Sequence, residues 1–235
     1  LIDGVVACYA FLSLYAVLIA CRVPSASKTP QGEATSKDSW STGLFLLAGF
    51  LAGAAVACKY PALLLVVIPF ALAIGVYLFS NGGRQAGRYW PMALFLLGTV
   101  VSCGPWFVKN AVLTGNPTYP LLYEVFGGKS RTEQLDQRWR AAHRPVPYRY
   151  GAADDNAFSP RQLVYYASHW FIHSDWLAPV LVPLAGLAFF AFGGSQRRLV
   201  FVLVFYVCFF FAVWWLFTNR IDRFWVPILP VMALL

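Results

Sequence analysis

The chain has 235 residues, of which 59% are apolar and 12% charged, with nine Trp and a formal net charge of +8. That charged share is about half of what soluble domains carry, and lipid hides so much apolar surface where a soluble core does not. The basic residues form no single patch, which argues against a nucleic-acid partner; a membrane protein with positive cytoplasmic loops accounts for the sign.

Long apolar runs, each about long enough to cross a ~30 Å hydrocarbon core, alternate with polar breaks. The first span is expected over about Val5 to Cys21, entered by Asp3. A Ser/Thr-rich loop, Arg22 to Thr42, leads to a second span over about Gly43 to Cys58. Lys59-Tyr60-Pro61 interrupts, and a third span covers about Ala62 to Phe79. The basic loop Asn81 to Arg88 precedes a fourth span over about Trp90 to Val108, which ends at Lys109-Asn110. A long polar stretch runs to Asp175, followed by a fifth span over about Trp176 to Phe192. Arg197-Arg198 marks a turn into a sixth span, about Leu199 to Phe217. After Thr218–Arg223 a seventh span starts at Phe224 and is cut off by the end of the chain.

These runs lack barrel alternation, so the fold class is all-α: a polytopic transmembrane helix bundle of about seven spans. One transmembrane domain is expected over 1–235, with an exoplasmic or interfacial insertion at 110–175. Because the chain opens on Leu1 and closes inside an apolar run, it reads as an internal stretch of a longer protein. The five cysteines lie in or beside the spans without metal spacing, so they read as small packing residues. Gly49 and Gly53 form a GxxxG step suited to close helix approach.

The short loops holding Arg84, Arg88, Arg197 and Arg198 carry no acid, which makes their side cytoplasmic. Asp3, Lys59, the stretch from Lys109 to Asp175, and Thr218–Arg223 then fall on the exoplasmic side. Within the long stretch, Ser130-Arg131-Thr132-Glu133 reads as a capping box for a helix through about Ala142. Asp136 and Arg140 form an i,i+4 pair on it. Ser159-Pro160 reads as a cap and first-turn proline for a second, aromatic helix over Arg161 to His173, lying at the lipid interface. Pro145-Val146-Pro147 and Gly151 to Asn156 are turn-forming.

Charges at the membrane edge are costly and each asks for a reason. Asp3 either caps its helix or faces a substrate. Lys59 is a snorkelling lysine or a cation poised for phosphate. Lys109, Asn110, Asn116 and Tyr119 crowd around a Gly-Asn-Pro turn. Arg220 and Arg223 are able to clamp a phosphate bidentately, or to hold a short turn with Asp222. His169 and His173 have i,i+4 spacing, which fits an interfacial helix better than a metal site. Asp154-Asp155 reads as a solvated loop.

Taken in order, Ile2-Asp3-Gly4, Gly49-x3-Gly53 running into Lys59-Tyr60-Pro61, Trp106-x2-Lys109-Asn110, Gly115-Asn116-Pro117-x-Tyr119-Pro120 and Arg223-Phe224-x2-Pro227-x2-Pro230 form a set. The set resembles the GT-C superfamily of polytopic membrane glycosyltransferases, and within it the bacterial relatives of protein O-mannosyltransferases and aminoarabinose transferases. The resemblance implies inverting transfer of a sugar from a polyprenyl-phosphate donor to an exoplasmic acceptor, at the periplasmic face of a bacterial inner membrane. It implies Asp3 as a catalytic carboxylate, acting as general base or metal ligand, with Lys59 and Arg223, and Arg220 behind them, on the donor phosphate. Lys109, Asn110, Asn116 and Tyr119 would line the substrate cavity. A further acidic loop would precede Leu1. A divalent metal would be compatible with the acid's role, although no residue spacing indicates one. Membrane lipid and the polyprenyl-phosphate sugar are the implied partners. The competing readings are a lipid or solute transporter or flippase, which calls for midplane charges and internal repeats, and a non-catalytic relative.

Overall fold

The structure, a computed structural model, describes residues 2–22, 36–80, 89–145, 147, 156–173, 183–184, 186–187 and 194–235. Every regular element among them is helical and none is a strand. Among the described residues, four helices are long and apolar enough to cross a membrane: Ile2–Cys21, Leu63–Ser80, Trp90–Thr114 and Leu199–Phe217. Thr42–Cys58 is a shorter apolar helix. The described residues are therefore all-helical and of membrane type, with four helices of spanning length among them where about seven spans are expected over the whole chain. The expected fifth span, 176–192, lies almost wholly outside the described residues, as do the loops carrying Arg84 and Arg88.

The chain forms two compact units, Leu1–Ser130 and Arg131–Leu235. In the first, α1 (Ile2–Arg22) and α2 (Ser36–Cys58) run antiparallel, because Asp3 at the start of one meets Lys59 just past the end of the other. Small residues carry this packing: Ala7, Ala10, Ala16 and Ala20 face inward on α1, and Ala48, Ala52 and Ala55 on α2. Lipid tails are as apolar as leucine, so helices in a bilayer associate through close packing and hydrogen bonds rather than through apolar burial. Ser13, fully buried, adds one such bond by donating to the Ala48 carbonyl at 2.8 Å.

Past Lys59-Tyr60-Pro61 the chain turns and forms a π-helical stretch, Leu63–Val67, that runs into α3 (Ile68–Ser80). Pro69 explains the wide turn: without an N–H it leaves a carbonyl of the preceding turn without its usual partner. Outward residues on α3, including Leu72, Val76 and Phe79, are large, apolar and exposed, as a lipid-facing surface requires.

α4 (Trp90–Thr114) crosses α2 at backbone contact. A Cβ on Gly49 would collide with the Phe95 carbonyl, one on Gly53 with the Thr99 carbonyl, and one on Gly98 with the α2 backbone at Leu46 and Phe50. The GxxxG step thus packs as its spacing foretold, with Gly98 as its counterpart on the facing helix. α4 runs six residues past the expected end at Val108. Lys109 and Asn110 end the apolar stretch but not the helix, which stops only where Gly115 takes a left-handed conformation (φ 78°) and caps it through a bond to the Ala111 carbonyl. A one-turn helix, α5 (Tyr123–Phe126), follows, and Lys129 N–H donates to the Thr114 carbonyl at 2.8 Å. Residues 110–130 therefore belong to the first unit, and the boundary between units falls inside the expected 110–175 insertion.

In the second unit, α6 (Glu133–His143) is capped by Thr132, whose hydroxyl accepts from Leu135 N–H, and not by Ser130. Asp136 is buried between two guanidiniums, Arg140 at 2.6 Å and Arg131 at 3.1 Å, so the expected i,i+4 pair is one half of a triad. α7 (Pro160–His173) starts as expected, with the Ser159 hydroxyl accepting from Gln162 N–H. α8 (Gly194–Phe217) leads through a break into a 3-10 segment, Asp222–Ile228, and a short α9 (Leu229–Leu234). The helix expected from Phe224 begins in this tighter form, with Pro227 inside it and Pro230 in the first turn of α9. Phe210, Trp214 and Trp225 form its buried aromatic core, with Trp214 and Trp225 5.4 Å apart edge to face.

Candidate functional site

A cluster of hydrogen-bonded polar side chains gathers at one end of the first unit. Helix α1 starts there, α2 ends there, and α4 emerges there into the Gly115 turn. Asp3 lies in the first turn of α1, where a carboxylate also complements the helix dipole. Lys59 leaves the end of α2, its N–H bonded back to the Ala55 carbonyl. Their side chains meet at 2.5 Å, with Lys59 25% and Asp3 17% exposed. The pair is partly buried, which strengthens its attraction relative to bulk water, and it stays open to a ligand from solution.

Beside it, Tyr60 is a hydrogen-bonding hub. Its hydroxyl donates to the Tyr119 carbonyl at 2.9 Å and accepts from the Asn110 amide at 2.7 Å and the Trp106 indole at 3.2 Å. That uses the one proton and both lone pairs of a phenol. Tyr60 ties the break after α2 to the last turns of α4 and to the loop beyond, and its ring leans on Phe107 at 5.9 Å. Tyr60 and Trp106 belong to the motifs quoted from the sequence, but no site role is expected of either there. The available signal was an amphipathic tyrosine next to a lysine at a span boundary, where the polar tips of aromatic residues gather.

The four expected cavity residues separate into different jobs. Lys109 is exposed, its ammonium 4.5 Å from the centre of the Trp106 ring. Asn110 is buried and serves the Tyr60 hub. Tyr119 contributes its backbone carbonyl to the same hub. Asn116 is fully buried. Its amide donates to the Leu121 and Gly127 carbonyls at 2.8 and 3.1 Å, while its oxygen accepts from the Thr118 N–H and hydroxyl at 2.8 and 3.0 Å. With both donors and both lone pairs engaged, Asn116 builds the loop and offers nothing to a substrate.

In the second unit the two arginines diverge. Arg220 is 3% exposed. Its Nε donates to the Trp215 carbonyl at 3.2 Å and an Nη to the Ala157 carbonyl at 2.7 Å, and its guanidinium lies 3.5 Å from the centre of the Trp215 ring. Burial pushes its pKa below the ordinary arginine value, and Tyr166 opposes the shift. A guanidinium enclosed this way cannot reach a phosphate: Arg220 caps the end of α8 and clasps the start of α7. Arg223 is exposed, 5.9 Å over the Phe224 ring. Of the two guanidiniums, that of Arg223 is the one at the surface.

No group of three or more His, Cys, Asp or Glu side chains is placed to hold a metal among the described residues. His169 and His173 stack loosely along α7, with ring centres 5.6 Å apart. Asp154, Asp155 and Asp175 lie outside the described residues. Among known families, the one described as Domain of unknown function (DUF8201) matches residues 12–229. No curated protein and no solved structure matches the chain.

Proposed function

The chain belongs to the DUF8201 family, and for it we propose glycosyl transfer at a membrane surface: a sugar moves from a polyprenyl-phosphate donor to an exoplasmic lipid, glycan or protein. The protein would cross a bacterial inner membrane about seven times, counting 176–192 and the helix begun at α9, with its working face in the periplasm. The observation that carries the reading is the partly buried Asp3–Lys59 pair set beside the Tyr60 hub, at one end of the first unit.

The chemistry follows from that pair. The acceptor oxygen forms a bond to the anomeric carbon as the bond from that carbon to the phosphate oxygen breaks. The phosphate departs with the electron pair, and the acceptor's proton passes to the Asp3 carboxylate. Lys59 sits where it would compensate the charge growing on the departing phosphate. A phosphate that draws Lys59 away from Asp3 would leave the carboxylate ready to take the proton, so donor binding and base activation would be one event. The hub would keep Lys59 at the mouth of the bundle, since Tyr60 is its chain neighbour.

The test is turnover by the full-length protein in vesicles, offered polyprenyl phosphates that carry mannose, glucose or aminoarabinose, with release of polyprenyl phosphate as the readout. One of these donors should be consumed, and Asp3→Asn should slow its consumption by about 10²–10⁴-fold while the melting temperature stays near wild type. Full activity in Asp3→Asn, or no donor consumed by the wild-type protein, would refute the proposal.

A further inference from the structure

We infer that α7 is a membrane-surface helix whose Val164, Tyr165 and Ile172 face lies in bilayer lipid, and that Arg220 fixes its depth by clasping the chain that leads into it to the end of a membrane-spanning helix.

Much of the exposed surface of α7 is apolar, while polar groups lie on its buried side. The polar residues Ser159 and Gln162 point inward and are buried, together with Tyr166. The outward face carries Val164 (64% exposed), Tyr165 (47%) and Ile172 (61%), with Phe158 (51%) just before the helix. A helix bathed in water places these residues the other way round. The polar residues on the outward side do not spoil the face. The Ser168 hydroxyl donates back to the Tyr165 carbonyl at 3.1 Å, so its proton is satisfied within the helix. Arg161 is in the first turn, where a long side chain can run its head group toward water while its stem stays apolar.

The position of α7 within its own unit says what covers that face. Tyr166 packs edge-on against Trp214 and Trp215, at 6.0 and 5.7 Å, in the last turn of α8. Arg220 reaches the Ala157 carbonyl and stands 5.2 and 5.1 Å from the Phe158 and Tyr166 rings. α8 contains an apolar stretch, Leu199–Phe217, of membrane-spanning length. The terminus to which α7 is clasped is therefore the level at which hydrocarbon gives way to head groups. Leu216 and Phe217 are themselves exposed at that terminus, so lipid that covers the end of α8 meets α7 at the same depth. An interfacial helix immerses its apolar face by about 5–10 Å at this boundary, and Tyr165 supplies the amphipathic ring that such a depth favours.

The experiment places the photoreactive residue p-benzoyl-phenylalanine at 164, 172 or, as an internal control, 166. The full-length protein is irradiated in membranes that contain tritiated phospholipid. Positions 164 and 172 should yield phospholipid adducts, and position 166 should react with its own chain instead. A protein adduct at 164 and 172, within the chain or to a partner, would overturn the inference. So would attack on a cysteine placed at either position by a membrane-impermeant thiol reagent.

Discussion

Gly49→Ala is expected to disrupt the first unit. The added Cβ would lie inside the Phe95 carbonyl group, and the obstructing atoms are helix backbone that no rotamer change can move. Helices α2 and α4 must separate, and the neighbouring contacts of Gly53 with Thr99 and of Gly98 with Leu46 and Phe50 open with them. Overpacking in a tight core costs about 1–3 kcal/mol, and a backbone-to-backbone crossing stands at the upper end because there is nothing to repack. Helix association in a bilayer depends on close approach rather than on apolar burial, so little offsets the loss. The measurement is the thermal melting of the purified protein in detergent, alongside Leu47→Ala. Leu47 faces outward on the same helix, and its truncation should change melting little. Equal melting of Gly49→Ala and wild type would refute the crossing.

Arg220→Met and Arg223→Met should differ sharply although they stand three residues apart. Methionine at 220 keeps much of the apolar stem but strips partners from the Trp215 and Ala157 carbonyls and ends the stacking on Trp215. Losing hydrogen bonds from a charged donor to buried carbonyls costs about 2–4 kcal/mol, and the cation–π contact adds to it. The Trp215 carbonyl is also one of the last of α8, which a positive charge caps favourably. Arg223 is exposed, so its replacement should cost within about 0.5 kcal/mol of stability. Unfolding followed by the fluorescence of the Trp214, Trp215 and Trp225 cluster reads both variants. Comparable melting of the two would mean that Arg220 does not act as a clasp.

These two arginines show what can be read from a sequence and what cannot. Both stand in one polar break, and both are candidates for the donor phosphate, Arg223 ahead of Arg220. The feature that separates them is a contact between Arg220 and a carbonyl 63 residues away, which no local pattern records. The same holds for Asn116, whose neighbours in sequence promised a polar cluster but whose amide is consumed by its own loop. Local signals fared better where the physics is local. The Ser159-Pro160 cap, the Asp136–Arg140 pair and the Gly49–Gly53 step all depend on fixed helical spacing. Helix ends were misplaced where two kinds of boundary coincide. Lys109 marks the edge of apolarity, whereas Gly115 marks the end of the helix, and only the second requires a left-handed residue. At Thr132, a neighbouring hydroxyl two residues upstream offered an equally good cap, and the choice is made by where the chain enters α6. The meeting of Asp3 with Lys59 was foreshadowed only as a shared side of the membrane; that they touch required the antiparallel packing of α1 on α2.

The account depends most on the end of the first unit that holds Asp3, Lys59 and the Tyr60 hub opening on the exoplasmic side. Lys129→Cys reports on that end, since its backbone is bonded to Thr114 at the close of α4; Ser80→Cys reports on the opposite end, at the close of α3. Both positions are exposed. Labelled in intact cells with a membrane-impermeant maleimide, against the parent protein as background, Lys129→Cys should react at once and Ser80→Cys only after the membrane is breached. The opposite order, or equal reaction from outside, would contradict the account.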